Sequence, residues 1–220
     1  ICSGLSVQDP RERPLDAQQA ADEAHKKLAD ERSDFLSYVK LWQWVEKAKA
    51  NKESNRKFEQ ELRQRFLSPR RLREWRDVER QLAALTEELS WRRNTAEATY
   101  EEVHKALLSG LLGNIGSKAV ESDFRAPPYL GTFGVKFWIW PGSVKAKKGG
   151  RWVMSSELVE TTKLYARCVA DIEAEWIEAA AGNLIKKSWS EPHWEKHRGE
   201  VMAMERGTLY GLTIYQQLSL

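Results

Sequence analysis

The sequence has few of the features that mark a secreted or membrane protein. It contains two cysteines, Cys2 and Cys168, in 220 residues. Two isolated thiols without ligand-like spacing argue against a disulfide-stapled fold and indicate a reducing compartment, so we expect a cytoplasmic protein. No apolar run approaches the roughly 18 to 20 residues of a membrane-spanning helix, so no membrane partner is expected. The sequence also shows no signal peptide.

An excess of one charge is missing as well. The formal net charge is +3 although 30% of the residues are charged. A nucleic-acid-binding surface would therefore have to be a local patch. A starting methionine is also absent, and the opening ICSGLS is typical of the inside of an apolar element. We expect a piece of a longer protein.

Motifs for catalysis, metals and nucleotides are weak. GLLGNIGSK at 110–118 approaches a phosphate loop, but Lys118 follows the serine and the stretch follows a helix pattern, so we interpret it as a helix end and a turn. His193 and His197 are four residues apart, but Trp194 stands where a zincin motif needs glutamate. We predict no catalytic, metal-binding or cofactor-binding residue in this chain.

Hydrophobic periodicity divides the chain near residue 113. Up to residue 112, apolar residues recur at helical spacing, and the caps of four helices are predicted at Ser33, Asn55, Ser68 and Thr99. After Gly116, prolines, glycines and period-2 patterns dominate. We predict an α+β protein, in which a helical bundle precedes a small β-barrel or sandwich.

Three segments of the second half are strand candidates: VKFWIW, RWVMSSELVETT and LYARCVADI. Gly149-Gly150 predicts a turn that would join the first two of them in a hairpin. EAEWIEAAAGNL predicts a helix. The tail EVMAMERGTLYGLTIY predicts a final hairpin with its turn at Gly207.

The helix that begins at Pro69 has two opposite faces. Its apolar stripe is predicted to be buried and comprises Leu72, Trp75, Leu82, Leu85 and Leu89. Arg73, Arg76 and Arg80 fall on the other side, where arginines can contact phosphates with two hydrogen bonds each. The alternative is that Glu74 and Asp77 pair with these arginines on a solvated helix.

Residues 135–156 combine cations with aromatic rings. This segment holds three tryptophans and five basic residues without an acid. Alternation places Lys136, Trp138 and Trp140 on one strand face. Such a face suits single-stranded nucleic acid, because bases stack on aromatic rings and cations follow the backbone. The alternative is that the tryptophans belong to a barrel core while the lysines keep a loop tip in water.

Four segments, in this order, resemble a known family: LSVQDPRERP at 5–14, RRLREWRDVERQL at 70–82, HKALLSGLLGNIG at 104–116, and RWVMSSELVETTKLYARCVADIEAEWIEAA at 151–180. Together they resemble the C-terminal region of DEAH-box ATP-dependent RNA helicases of the bacterial HrpA type. The resemblance implies a helical ratchet-like domain over 1–112 and an OB-fold β-barrel over 113–190. The start of a C-terminal extension, with a β-hairpin, follows over 191–220.

The resemblance also implies a function. In the family, these domains lie on RecA-like motor domains that use ATP and Mg²⁺, and single-stranded RNA threads between them. The chain would be an accessory region that holds single-stranded RNA against the motor; it lacks the motor's motifs and should not hydrolyse ATP. The alternative is a protein-docking module that binds an activator or the ribosome.

The predicted RNA contacts come from the arginine-rich helix and from residues 135–151. Trp140 to Ser143 read WPGS where many eukaryotic members have His-Pro-Ser-Ser, so only Ser143 matches that motif's last serine. The predicted RNA-binding residues are Arg73, Arg76, Arg80, Lys136, Trp138, Ser143, Lys145, Lys147, Lys148 and Arg151.

Overall fold

The computed structural model describes residues 1–92, 94–119, 128–197 and 199–219. The chain forms two compact units, Ile1–Glu97 and Ala98–Leu220. Helices come first, followed by a closed five-stranded barrel and a three-stranded sheet, which confirms the predicted α+β class. None of the helices in these ranges is long and apolar enough to cross a membrane. Neither cysteine is in a disulfide: Cys2 is exposed in the first unit, and Cys168 is half-buried in the second.

The first unit is helical. Its helices are α1 (Cys2–Leu5), α2 (Gln18–Lys26), α3 (Asp34–Ala50), α4 (Asn55–Gln64) and α5 (Pro69–Glu88). The Ser33 hydroxyl caps α3 as predicted, because it accepts from the amides of Phe35 and Leu36. The cap predicted at Asn55 is wrong by one residue: Ser54 caps α4 and Asn55 is its first helical residue.

The QDPRERP segment is a structural part of this unit. Asp9 and Arg11 form an ion pair of 2.7 Å, and the Arg11 guanidinium carbon lies 5.4 Å from the centroid of the Tyr38 ring. The backbone amide of Ser68 donates to the Pro10 carbonyl. Burial raises the pKa of Asp9, but the hydrogen bonds and charge of Arg11 leave this pKa below its ordinary value. The QDPRERP segment thus contacts α3 and the start of α5, and it contributes to the packing of the helical unit.

Helix α5 is buried along only part of its length. Leu72 and Trp75 are 3% and 1% exposed, and the Trp75 indole N–H donates to the Ser3 hydroxyl at 3.0 Å. The rest of the stripe is 37%, 52% and 58% exposed at Leu82, Leu85 and Leu89. The prediction of a fully buried stripe is therefore wrong for its second half. The contacts that bury α5 lie in its first half: Ser3 of α1 and Tyr38 and Trp42 of α3 all contact Trp75.

The second unit begins with α6 (Tyr100–Leu111), which packs against β4 and α7. Thr99 and Glu102 form the predicted capping box at its start. Helix α6 belongs to the unit that contains the barrel. The chain therefore divides into its two compact units after Glu97, whereas the predicted domain boundary follows residue 112. The division into three domains, 1–112, 113–190 and 191–220, stays a prediction.

Five strands close the barrel in the order β1-β2-β3-β5-β4. They are β1 (Ile115–Lys118), β2 (Tyr129–Gly131), β3 (Lys136–Ile139), β4 (Trp152–Glu160) and β5 (Leu164–Ile172), and α7 (Ala174–Ala181) follows. Strand β3 pairs antiparallel with β2 and parallel with β5. The hairpin predicted to turn at Gly149-Gly150 is therefore wrong, because β4 pairs with β1 and β5 instead.

The chain continues into a sheet of three antiparallel strands, β6 (Lys186–Glu195), β7 (Glu200–Leu209) and β8 (Leu212–Ser219). The last two form the predicted terminal hairpin, and β6 adds a strand to it. The turn predicted at Gly207 is misplaced: the chain turns at Tyr210–Gly211, and Gly207 lies within β7 opposite Tyr215. A Cβ at Gly207 would clash with the Tyr215 ring, so only glycine leaves room for that ring.

Candidate nucleic-acid interface

Strand β3 has one face in the barrel core and one face on the outside of the barrel. Phe137 is 0% exposed, and Ile139 packs against the same barrel core. Alternation then directs Lys136, Trp138 and Trp140 outward. Trp138 is half-buried and Trp140 is 36% exposed, whereas Trp152, on β4, is 5% exposed. Of the segment's three tryptophans, only Trp152 therefore fits the alternative that these rings form the barrel core.

The pairing of β3 with β5 surrounds the two outer tryptophans with cations. The Lys163 ammonium lies 4.5 Å from the Trp138 ring centroid, and the Arg167 guanidinium carbon lies 4.8 Å from that of Trp140. Tyr165, opposite Trp138 in the parallel register, meets Trp140 edge-on with ring centroids 5.3 Å apart. We call these five residues the aromatic–cation face. Contacts of this kind hold a ring and a cation side by side at a solvent-accessible site.

One polar group on this face lacks a partner. The Arg167 Nε is buried, and nothing in the described part of the chain accepts its hydrogen bond. The same holds for the Arg76 Nε of α5. Because both atoms are buried, a ligand at the surface could reach neither of them without a movement of the chain.

The loop between β3 and β4 is held at one end of the barrel. Lys145 is 8% exposed, and its ammonium lies 2.6 Å from an Asp171 carboxylate oxygen. The same carboxylate accepts from the Gly150 amide at 2.7 Å, and the Tyr129 hydroxyl donates to the Gly150 carbonyl at 2.8 Å. Burial and the charge of Asp171 raise the pKa of Tyr129 to about 12, so this hydroxyl remains a donor at neutral pH.

This geometry divides the predicted lysines of the loop into two kinds. Lys145 does not fit the alternative of a lysine that keeps a loop tip in water, because it is buried and its charge is matched by Asp171; its predicted contact with RNA stays a prediction. Lys147, Lys148 and Arg151 are exposed. The Ser143 hydroxyl accepts from the Lys145 amide at 3.1 Å, so this serine shapes the turn that carries them.

The three predicted arginines of α5 belong to the first unit, and each has an acidic partner. Arg73 pairs with Glu59 at 3.4 Å, Arg76 with Glu46 at 2.7 Å, and Arg80 with Asp77 at 2.7 Å. The Arg76 side chain is 16% exposed. The geometry thus resembles the alternative of paired arginines, although Glu46 and Glu59 come from other helices.

The weak motifs form no separate site. Residues 110–118 contain the end of α6 and strand β1. His193 lies in β6 and His197 in the turn after it. Within the described ranges, no three His, Cys, Asp or Glu side chains are grouped so that they could hold a metal ion.

Comparisons with known proteins agree with this architecture. A family model for the oligonucleotide/oligosaccharide-binding (OB) fold matches residues 103–185, which include most of α6, the barrel strands and α7. The ATP-dependent RNA helicase HrpA homolog of Haemophilus influenzae is 47% identical over 97% of this chain. The ATP-dependent RNA helicase HrpA of Escherichia coli is 46% identical, also over 97% of the chain. The chain belongs to the HrpA-type DEAH-box helicase family.

Within that family the chain is one region of a much longer protein. It spans 16% of the length of either HrpA relative. A pre-mRNA-splicing ATP-dependent RNA helicase of Schizosaccharomyces pombe is 25% identical over 84% of the chain, which is 15% of that relative. The OB fold that the family model matches is a fold found in the C-terminal region of DEAH-box helicases. The aromatic–cation face of this HrpA-type chain lies within the matched residues.

Sequence reasoning missed three members of the aromatic–cation face. Lys163, Tyr165 and Arg167 reach Trp138 and Trp140 only because β3 and β5 pair in parallel. These strands lie far apart in sequence, and no local pattern specifies their pairing. The one available signal was LYARC, which alternates an aromatic residue and an arginine on the polar positions of a strand.

Proposed function

We propose that this chain is the accessory RNA-binding region of an ATP-dependent DEAH-box RNA helicase. In this role it holds single-stranded RNA against RecA-like motor domains of the parent protein. The aromatic–cation face carries the proposal: Trp138 and Trp140 lie on an outer surface of an OB barrel, beside Lys163 and Arg167. OB folds bind oligonucleotides on a strand face and its adjoining loops. Aromatic rings offer stacking to any base, which suits a motor that must handle many sequences.

Charge supports the same role. The guanidinium of Arg167, over the Trp140 ring, and the exposed cations Lys136, Lys147, Lys148 and Arg151 can position phosphates. Phosphate contacts fix the position of a strand without selecting its sequence. On this proposal, ATP and Mg²⁺ bind to the motor domains of the parent helicase, and this chain holds the RNA while the motor domains hydrolyse ATP.

The double substitution Lys147→Ala/Lys148→Ala tests the proposal. Each phosphate contact on a single strand contributes about 0.7 to the slope of log affinity against log salt. We expect weaker binding of labelled oligouridine and a slope flatter by up to about 1.4 units, measured by fluorescence anisotropy over a salt series. Lys26→Ala/Lys27→Ala is the matched control, since it removes two adjacent exposed lysines from the first unit. Equal affinity and slope in the two variants would refute an RNA contact at this loop.

A second candidate function is supported by the exposed end of α5. Leu82, Leu85, Leu89 and Trp91 are 37% to 66% exposed, and Leu82 and Trp91 line an open cavity of about 290 Å³. Exposed apolar residues grouped in this way are typical of protein-docking surfaces. We propose that α5 docks to protein, either the motor domains of the parent or an activator or ribosomal partner. Binding that requires a folded protein and depends weakly on salt would distinguish docking from RNA contact.

A further inference from the structure

Two tryptophans of β6 lie outside the residues that the OB-fold family model matches. Trp189 and Trp194 are 58% and 60% exposed. Strand β6 lies at one edge of the β6–β7–β8 sheet and is exposed along nearly its whole length. Burying an indole ring is strongly favourable, so two open ones on a single strand call for a binding role.

An irregularity in β6 brings both rings to one face. Residues five apart on a regular strand point to opposite faces. Here the register shifts between Ser190 and His193, so that Trp189 lies opposite Glu205 and Trp194 opposite Val201. Glu205 and Val201 are four apart on β7 and therefore share a face. The extra residue of β6 is absorbed in a bulge that contains Glu191, whose φ is 54°.

A small residue, Ala203, lies on the sheet surface between the two indoles. Ala203 lies between Val201 and Glu205 on the same face of β7 and is half-buried. Four residues of β-strand span about 13 Å. Because stacked bases are about 3.4 Å apart, this distance fits about three bases between two bounding rings.

Trp189 and Trp194 differ in their surroundings from other tryptophans of the described chain. Elsewhere, Trp138 and Trp140 each have a cation over one face of the ring, Trp42 contacts Trp75, and Trp44 lies under Arg65. Around Trp189 and Trp194, no aromatic ring or cation of the described residues lies over either indole. Both rings are therefore available for stacking.

The polar groups around the rings are of both signs. The Lys187 ammonium lies 2.8 Å from Glu205, which also accepts from the Tyr215 hydroxyl at 3.0 Å, so the acid beneath Trp189 is matched. Lys196 follows Trp194 in the turn, and Glu191 and Glu195 lie in β6, so the binding expected here comes from stacking and not from charge. Pairing of a peptide strand with β6 is disfavoured, because Pro192 and the bulge interrupt this edge.

We propose that the face formed by Trp189, Ala203 and Trp194 is a second binding site for single-stranded RNA, where bases stack between the two indoles. The proposal rests on the proposed function, because it assumes that the chain binds RNA. It adds a contact away from the aromatic–cation face, on a sheet that the OB-fold family model does not include. RNA recognition of this type is tolerant of sequence, since every base offers a ring face.

The double substitution Trp189→Leu/Trp194→Leu tests this site. Loss of stacking should weaken binding of labelled oligouridine by roughly 5- to 150-fold for each ring that stacks on a base. The salt slope should stay unchanged, because no charge is removed. Leu15→Ala is the control: this apolar side chain is 90% exposed, but it lies in the first unit and in none of the proposed sites, and its loss should leave the affinity unchanged.

A second measurement locates the contact directly and does not depend on the folding of a variant. Photocrosslinking of the unmodified chain to 5-iodouridine RNA should label the peptide that contains Trp189 and Trp194. The inference is wrong if crosslinks map only to the barrel and the tryptophan variant keeps its affinity while Lys147→Ala/Lys148→Ala loses it; the proposed function then stands. It is equally wrong if the variant loses only binding to a purified HrpA motor region. If the unmodified chain binds no RNA, the proposed function fails and this site fails with it.

Discussion

Three lysines of one loop have different surroundings, although they lie within four positions of the sequence. Lys145 is 8% exposed and pairs with Asp171, which also holds the Gly150 amide. Lys147 and Lys148 are exposed. The basic stretch alone therefore does not determine whether a lysine is paired or exposed. The determinant is whether a carboxylate lies close to it on a neighbouring strand.

Lys145→Ala should destabilise the barrel. Removing the ammonium leaves the partly buried Asp171 carboxylate without its partner, which costs about 1 to 3 kcal/mol. Lys147→Ala, at an exposed position, should change the free energy of unfolding by less than about 0.5 kcal/mol. Urea unfolding followed by circular dichroism measures both. Equal stability of the two variants would show that the pair with Asp171 does not hold the loop.

Because of Asp9, the stability of the helical unit should fall as the pH is lowered in the acid range. The pKa of Asp9 in the folded chain is below its ordinary value, so the stability that Asp9 contributes is present above about pH 4 and is lost as pH falls through the folded-state pKa. Asp9→Asn should therefore lower the stability at neutral pH, and its difference from the unmodified chain should shrink in strong acid. Urea unfolding at both pH values checks this, with Asp16→Asn, at an exposed residue, as the control. A difference that persists in acid would contradict it.

Single residues were predicted from sequence where the determinant is local. Ser33, Thr99 and Glu102 act within one turn of chain, and their caps are present. Lys163 and Arg167 were missed, because their partners lie on a strand that meets theirs only in the folded barrel. The burial of Lys145 and its pair with Asp171 could not be predicted for the same reason, since Asp171 is distant in sequence.

At the scale of elements, α5 shows what periodicity can and cannot predict. Its stripe does recur at helical spacing, and Leu72 and Trp75 are buried. Periodicity identifies which face is apolar but not how far the neighbouring helices extend along it. Similarly, the alternating residues of β3 were recognised, but its partners were not, since the glycines after it favoured a hairpin that does not form.

Two leucines on the same stripe of α5 should respond differently to truncation. Leu72→Ala should cost about 2 to 5 kcal/mol, because it leaves a cavity in a packed core. Leu82→Ala should cost less than about 1 kcal/mol, since Leu82 is 37% exposed and much of its methyl surface already faces water. Chemical unfolding compares the two variants. A cost at Leu82 that matches the cost at Leu72 would mean that further protein covers this end of the helix.

At the scale of the whole molecule, the described chain consists of two units with different chemical roles. The first is tied together by the QDPRERP segment and pairs the arginines of α5 with acids. The second carries the aromatic–cation face and the tryptophan pair of β6. The order of helices before barrel could be predicted from sequence, because periodicity changes near residue 113. The assignment of α6 to the unit that contains the barrel could not be predicted, since its sequence has the same helical pattern as the helices before it.

The chain alone should not hydrolyse ATP. Its nearest approach to a phosphate loop, residues 110–118, contains the end of a helix and a strand, not a loop that leads from a strand into a helix. We expect no release of phosphate above background from ATP and Mg²⁺, with or without oligouridine. The control is the same assay with an HrpA-type helicase that contains its motor domains. Turnover that persists through purification would contradict the assignment of catalysis to the motor.

The placement of the two thiols makes each unit separately accessible to spectroscopy. Cys2 is exposed in the first unit, whereas Cys168 is half-buried in the second. Because accessible thiols react faster, a limiting amount of maleimide dye should label Cys2 first, and a second dye could then be attached to Cys168. Energy transfer between the dyes would report whether RNA changes the distance between the units, without the introduction of any new cysteine.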